Sequence, residues 1–308
     1  MMPRHLIGAA AAAALMLYGG TPAGAQPLNI PFAPNEDPKL VDPDSPAKKF
    51  RVDFARVEHE FPLARADLMK LTPENVAELS QEQVDQIYAR LTAGPIPDGP
   101  YRGTLFFRQG DTLNARLEEI LGGVPGRLAA RALELGEEVG GRLWKGKVFE
   151  RSNGLLRNMI ENSPLLLPLV DDVLTVPRAE IPRDGPLGRF FSEDVWLLFP
   201  AKVYCGQSLL DGRRESIIVD YAYGDELPRY RASPDSTAGR GGLKIRDEIR
   251  MVRPGFYLGR AYVNRIFLLN FTLLSPDEAS RQGPAFAAGG PVSEDCWTGE
   301  QVRRTAGR

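Results

Sequence analysis

An α+β fold, with N-terminal helices packed on an antiparallel, barrel-like β-sheet, is predicted by three features of the sequence. The last third is a run of closely spaced strand patterns, FPAKVYCG, RRESIIVDYAY, KIRDEIRMV, GFYLGRAYV and RIFLLNFTLL, parted by Gly, Pro and Asp as in a meandering sheet or small barrel. Ahead of it, LTPENVAELSQEQVDQIYARLTAG carries two helix-start signals, Thr72 before Pro73 and Ser80 with Gln83 three residues on. Between them, WKGKVFE and LLRNMIEN flank Asn153-Gly154, a hairpin dipeptide because both residues accept positive φ.

Taken from the N-terminus, residues 1–25 read as a secretory signal. A basic start (Arg4, His5) precedes an apolar stretch over 6–18, and Ala23-Gly24-Ala25 fits the small-residue cleavage pattern. The apolar stretch is shorter than the roughly 20 residues of a membrane span, and no later segment replaces it. The mature chain is therefore expected to be soluble and exported, periplasmic or secreted, without a transmembrane segment. Residues 26–49 are rich in Pro, Asn and Asp and lack apolar periodicity, which predicts an extended segment.

A single α+β barrel-like domain is then expected over 50–275. Val84, Ile87, Tyr88 and Leu91 recur at helical spacing and face the core, and Gly94-Pro95 ends that helix. A strand is expected at 101–108. Leu113, Leu117, Ile120, Leu121, Leu128, Leu133 and Val139 mark two helices over 111–139, broken near Gly122, Gly123 and Pro125. Residues 163–186 are apolar but interrupted by five prolines, so a long loop or lid is expected there. The tail, 276–308, is expected to be mostly irregular.

Composition excludes several function classes. The formal net charge is −2, and loss of Arg4 with the leader makes it about −3, so a nucleic-acid partner is not expected. His59 is the only histidine after the leader, it sits between Glu58 and Glu60, and GQSLL around Ser208 lacks the second glycine of a nucleophile elbow. Neither GxGxxG nor a phosphate-binding loop is present, so no cofactor is expected. Asp171 and Asp172 offer loop oxygens of the kind calcium uses, but solvated loop charges are the commoner reading, and no metal site is assigned.

Two cysteines in an exported chain, Cys205 and Cys296, are expected to be bridged; a buried thiol at Cys205 and a free one at Cys296 are the alternatives. In KIRDEIRMV, Asp247 interrupts a face made of Ile245, Ile249 and Met251. In GFYLGRAYV, Arg260 interrupts one made of Phe256, Leu258 and Tyr262. A charge on an inner face needs a partner, so Asp247 and Arg260 are expected to meet, either as a register-fixing ion pair or as a ligand headgroup site. The candidate ligand-binding residues are Trp144, Asp247, Tyr257, Arg260 and Tyr262.

GGRLWKGKVF, with Trp144 at a strand entry, resembles the G-x-W signature of the first strand of calycin-like barrels, the lipocalins and fatty-acid-binding proteins. Here Gly141 stands three residues before the tryptophan rather than two. The resemblance implies a barrel and a Trp144 that plugs one of its ends. WKGKVF, SIIVDY and DEIRMVRPGFYLGRAY are similar to uncharacterised exported bacterial proteins. The expected function is binding of an apolar or amphipathic small molecule in the barrel mouth, with the apolar stretch at 165–176 as a lid. The alternatives are a lyase or isomerase working through Asp247, Tyr257 or Tyr262, and a structural cell-envelope protein with a filled barrel.

Overall fold

The computed structural model describes residues 28–34, 52–107, 143–182 and 192–299. The leader expected over 1–25, the two helices expected over 111–139 and the chain after 299 lie outside the described residues. Four short helices come first, α1 (Phe54–Glu60), α2 (Arg65–Lys70), α3 (Pro73–Ala77) and α4 (Gln81–Arg90). Nine strands follow: β1 (Gly99–Phe106), β2 (Trp144–Glu150), β3 (Leu155–Glu161), β4 (Arg178–Pro182), β5 (Ser192–Gln207), β6 (Glu215–Asp220), β7 (Ile245–Arg253), β8 (Phe256–Val263) and β9 (Ile266–Leu274). Helix α5 (Pro276–Ala287) closes the series.

The strands pair antiparallel in the order β3-β2-β1-β9-β8-β7-β6-β5, and β3 returns to pair with β5, so eight strands close an up-and-down barrel. Closure removes the sheet edges that would otherwise need protection. Strand β4 lies outside the ring, on the edge of β5 opposite β3, with Trp196 of β5 paired to Ile160 on one side and Arg178 on the other. Tight turns set the register. Asn264 and Arg265 both take positive φ between Val263 and Ile266, and Gly255 at φ +76 turns β7 into β8.

Both capping signals before the barrel are realised. Thr72 Oγ1 accepts from Asn75 N, Ser80 Oγ from Gln83 N, and Gln83 Oε1 from Ser80 N. Val84, Ile87, Tyr88 and Leu91 pack with Leu71 and Val76 on Phe106, Val252, Phe256 and Leu258, which stand on the outer wall of the barrel. The segment 28–34 is extended, and α4 holds it down. Gln86 exchanges two hydrogen bonds with Ala33, and Arg90 Nη1 donates to Pro31 O.

The barrel is lined by alternate residues. At one end Tyr101 meets Phe149 and Tyr257 edge to face, with centroids 5.7 Å apart in each pair. Residues 292–296 seal that end, with Val292 and Cys296 joining Ala93 and Met251 in the same cluster. Further along, Trp144 meets Phe271 at 5.9 Å. Gly259 sits beneath the Phe271 ring, where an added Cβ would come 2.2 Å from the ring. Gly259→Ala is therefore expected to cost about 1–3 kcal/mol by overpacking. Urea unfolding measures it, and wild-type stability in that variant would show that the ring is not seated there.

One expectation gains detail and one is corrected. The tail begins with a helix, α5, that has Pro276 in its first turn and buries Phe286 against the Arg65 guanidinium, 4.8 Å from the ring. Gly283 and Pro284 dilute its apolar pattern, which hides it from periodicity. The second concerns Asp247 and Arg260, which do not meet. Register places Asp247 opposite Ala261, and Glu248 opposite Arg260. Asp247 points into the barrel, whereas Arg260 lies on the outer wall under α4, where Asp85 and Tyr262 hold it. Every residue of β8 is buried, on both faces, so its apolar face does not identify the inside.

Candidate functional site

Strands β2, β3, β6 and β7 bring a polar cluster together inside the barrel. Lys147 Nζ donates to Asp247 Oδ2 at 2.9 Å, to Asn158 Oδ1 at 2.9 Å and to the Tyr221 hydroxyl at 2.7 Å, so all three of its protons are used. Trp144 Nε1 donates to Asn158 Oδ1 at 2.9 Å, and Asn158 Nδ2 donates to the Tyr221 hydroxyl at 3.0 Å. The ammonium also lies 5.3–5.6 Å from the centroids of the Phe271, Tyr221 and Trp144 rings.

The local sequence explains the placement. Simple alternation puts Lys147 and Phe149 on one face of β2 and Trp144 on the other. A register shift between Trp144 and Gly146, with Gly146 at φ +131, turns Trp144 inward as well. On β3, Leu156, Asn158 and Ile160 alternate inward. On β5, the inward residues change step across a kink at Phe199, whose φ is +51. Asp235 holds that kink by accepting from Phe199 N at 2.7 Å and from Arg231 N at 2.8 Å. Burial pushes the Asp235 carboxyl up to about 6, against those two donors.

Electrostatics fix the cluster's charge state. Burial alone would lower the Lys147 value, but Asp247 and the Tyr221 hydroxyl outweigh it, and the ammonium is held above its ordinary range. Burial, followed by the Asp247 charge, pushes the Tyr221 phenol up to about 12. At neutral pH the cluster is an ammonium–carboxylate pair with a neutral phenol.

Above the cluster, one barrel end is covered by residues 163–176. Their two short 3₁₀ turns, Pro164–Leu169 and Val173–Thr175, are capped by Ser163 and Asp172. Leu166, Val170 and Val176 point down and pack with Leu143, Ile160, Trp196 and Leu198, with Trp144 at the margin. Leu165, Leu167 and Leu174 point outward, 57%, 48% and 92% exposed. Arg231, from outside this segment, hydrogen-bonds to it. Arg231 Nη1 donates to Thr175 Oγ1 at 3.0 Å, and its Nη2 donates to Asp172 O.

Of the sequence candidates, Trp144 and Asp247 belong to this site. Tyr257 is inside the barrel but at the opposite end, its hydroxyl donating to Pro95 O at 2.7 Å. Arg260 and Tyr262 lie outside the wall. The residues that sequence reasoning missed are Lys147, Asn158, Tyr221 and Trp196. Cys205 and Cys296 are bridged. Their sulfurs and the Glu215 carboxylate form the one group of three candidate metal ligands among the described residues, all within 4.8 Å, and the bridge occupies both sulfurs. His59 and Asp171 are exposed.

The class that fold and site define is an eight-stranded antiparallel barrel with a buried polar centre and a covered mouth. Compared with protein-family models, curated proteins and solved structures, the chain matches none of them.

Proposed function

We propose that the chain is an exported, calycin-like binding protein, periplasmic or secreted, that holds an apolar or amphipathic small molecule beneath the cover at 163–176. The observation that carries this reading is the cover itself. It presses three apolar side chains onto the barrel end, presents three more to solvent, and is held from the side by Arg231. Lifting the cover would expose Leu166, Val170 and Val176 at about 1.5–3 kcal/mol each, which an apolar ligand seated over Trp144 and the Lys147 cluster would offset by covering the same surface. The outer wall favours water over lipid. Lys202 pairs with Glu226, Tyr204 donates to Asp220 on the outward side, and helices cover β7 and β8. No helix among the described residues is long and apolar enough to cross a membrane.

The enzyme alternative has less support. Tyr257 and Tyr262 are both raised by burial, the wrong direction for a phenolate base, and Asp247 is engaged by Lys147. A filled structural barrel is favoured by one observation, the fit of the Trp144 and Phe271 rings over Gly103 and Gly259.

The test is a displacement titration of an apolar fluorescent probe on folded protein, with ester, glycoside and phosphate turnover assayed in parallel. Saturable uptake without turnover is expected. Trp144→Ala should weaken uptake several-fold, whereas Tyr262→Phe and His59→Ala should leave it unchanged. Absence of uptake would leave the structural reading, and turnover abolished by Asp247→Asn would replace both with an enzyme.

A further inference from the structure

Beneath the cover, the indole of Trp196 is fully buried, and its Nε1–H has no acceptor among the described residues. The other indole of the site, Trp144, is paired with Asn158 at 2.9 Å. A buried N–H left without an acceptor is disfavoured, and native interiors pair nearly all of them. The surroundings of Trp196 supply hydrocarbon: Leu143, Ile160, Leu166, Val170, Val176 and Leu198. The donor therefore lies unpaired among the apolar side chains to which the proposed function assigns the ligand.

We propose that Trp196 Nε1–H is the recognition donor for the bound molecule, and that this molecule is neutral, apolar and carries a single carbonyl-type oxygen, as a fatty ester does. The inference rests on the binding reading above and adds the ligand class to it. Charge decides against an anion. The buried ammonium nearby, Lys147, is already neutralised by Asp247, with its three protons spent. A carboxylate placed against Trp196 would be uncompensated in a hydrocarbon lining. A pure alkane would leave the indole N–H unpaired. A neutral acceptor satisfies both conditions.

The experiment compares methyl laurate, dodecane and laurate at neutral pH as competitors of an apolar fluorescent probe, in the full chain and in Trp196→Phe, which keeps an aromatic ring and deletes the donor. In the wild type, methyl laurate should compete about 3- to 10-fold better than dodecane, the range one hydrogen bond supplies, and laurate should be weakest. In Trp196→Phe the preference for the ester over dodecane should vanish. A second reading does not depend on the variant. The Trp196 indole proton resonance should move downfield on addition of methyl laurate and stay in place with dodecane. An ester preference that survives Trp196→Phe, an unmoved indole resonance, or tightest binding of laurate would overturn the assignment while leaving the binding function intact. Failure of all three compounds to displace a probe, or of any probe to enter, would instead overturn the binding reading on which it rests.

Discussion

Lys147→Met is expected to be among the most destabilising single changes in this protein, by about 3–5 kcal/mol, because it leaves the Asp247 carboxylate buried and unpaired. Both side chains are almost fully buried, and the pair is reinforced by Asn158 and Tyr221. Asp247→Leu should cost a similar amount by stranding the ammonium. The double variant should be milder than the sum, since it removes both charges and leaves apolar groups of similar size among Phe271 and Trp144. Urea unfolding of the four proteins gives the coupling. A parallel cycle between Asp247 and Arg260 should be additive, as they stand on opposite faces of the wall.

The same cluster contributes to the alkaline limit, together with the phenols of Tyr88, Tyr101 and Tyr257, which burial also raises. Lys147 is raised above its ordinary value of 10.5, so its contribution is complete below that pH and is lost as pH climbs above it. Tyr221 is raised from 10.0 to about 12, so the folded state keeps a proton that the unfolded chain releases, and stability again falls as pH rises through that window. Stability should therefore drop above about pH 10, and more shallowly in Lys147→Met/Asp247→Leu. A wild-type profile that is flat between pH 9 and 12 would contradict the buried ion pair, since linkage requires the loss.

The second large effect belongs to the disulfide. Cys205 on β5 and Cys296 are 91 residues apart in sequence, and the bridge closes a loop that includes β6 through α5. Reduction, or Cys296→Ala, should cost on the order of 2–4 kcal/mol through the entropy of the unfolded chain. The loss is moderated because the end segment has other ties. Glu294 and Asp295 bind the backbone of Gly94 and Ile96, and Trp297 exchanges two hydrogen bonds with Glu215. Non-reducing peptide mapping should show one linked pair and no free thiol. Two free thiols would contradict the bridge.

Strands were legible where one signal sufficed. Alternation and turn residues place β6 to β9, and Asn153-Gly154 places the β2–β3 hairpin, with Gly154 left-handed at φ +61. Two strands were harder. Strand β4 is bounded by Pro177 and Pro182, so it was absorbed into the proline-rich loop, and β5 begins at Ser192, well before the FPAKVYCG that marked it. Trp196 lies in that overlooked half. Asp247 was visible because it breaks an apolar face, but its partner was not. Lys147 sits in WKGKVF two residues after Lys145, and reads as solvated until barrel closure places the face it shares with Phe149 inside. Asn158 and Tyr221 owe their roles to closure as well, since β3 reaches β5 only when the ring is complete.

The most direct test of the binding account is native mass spectrometry of the protein purified from its native source without unfolding. The account predicts a population heavier than the bare chain by the mass of one small molecule. That molecule should be extractable into organic solvent, neutral, and displaced by methyl laurate. A bare chain throughout, unchanged in mass after incubation with methyl laurate and unresponsive to apolar probes, would contradict it and leave a barrel whose interior serves only to hold itself together.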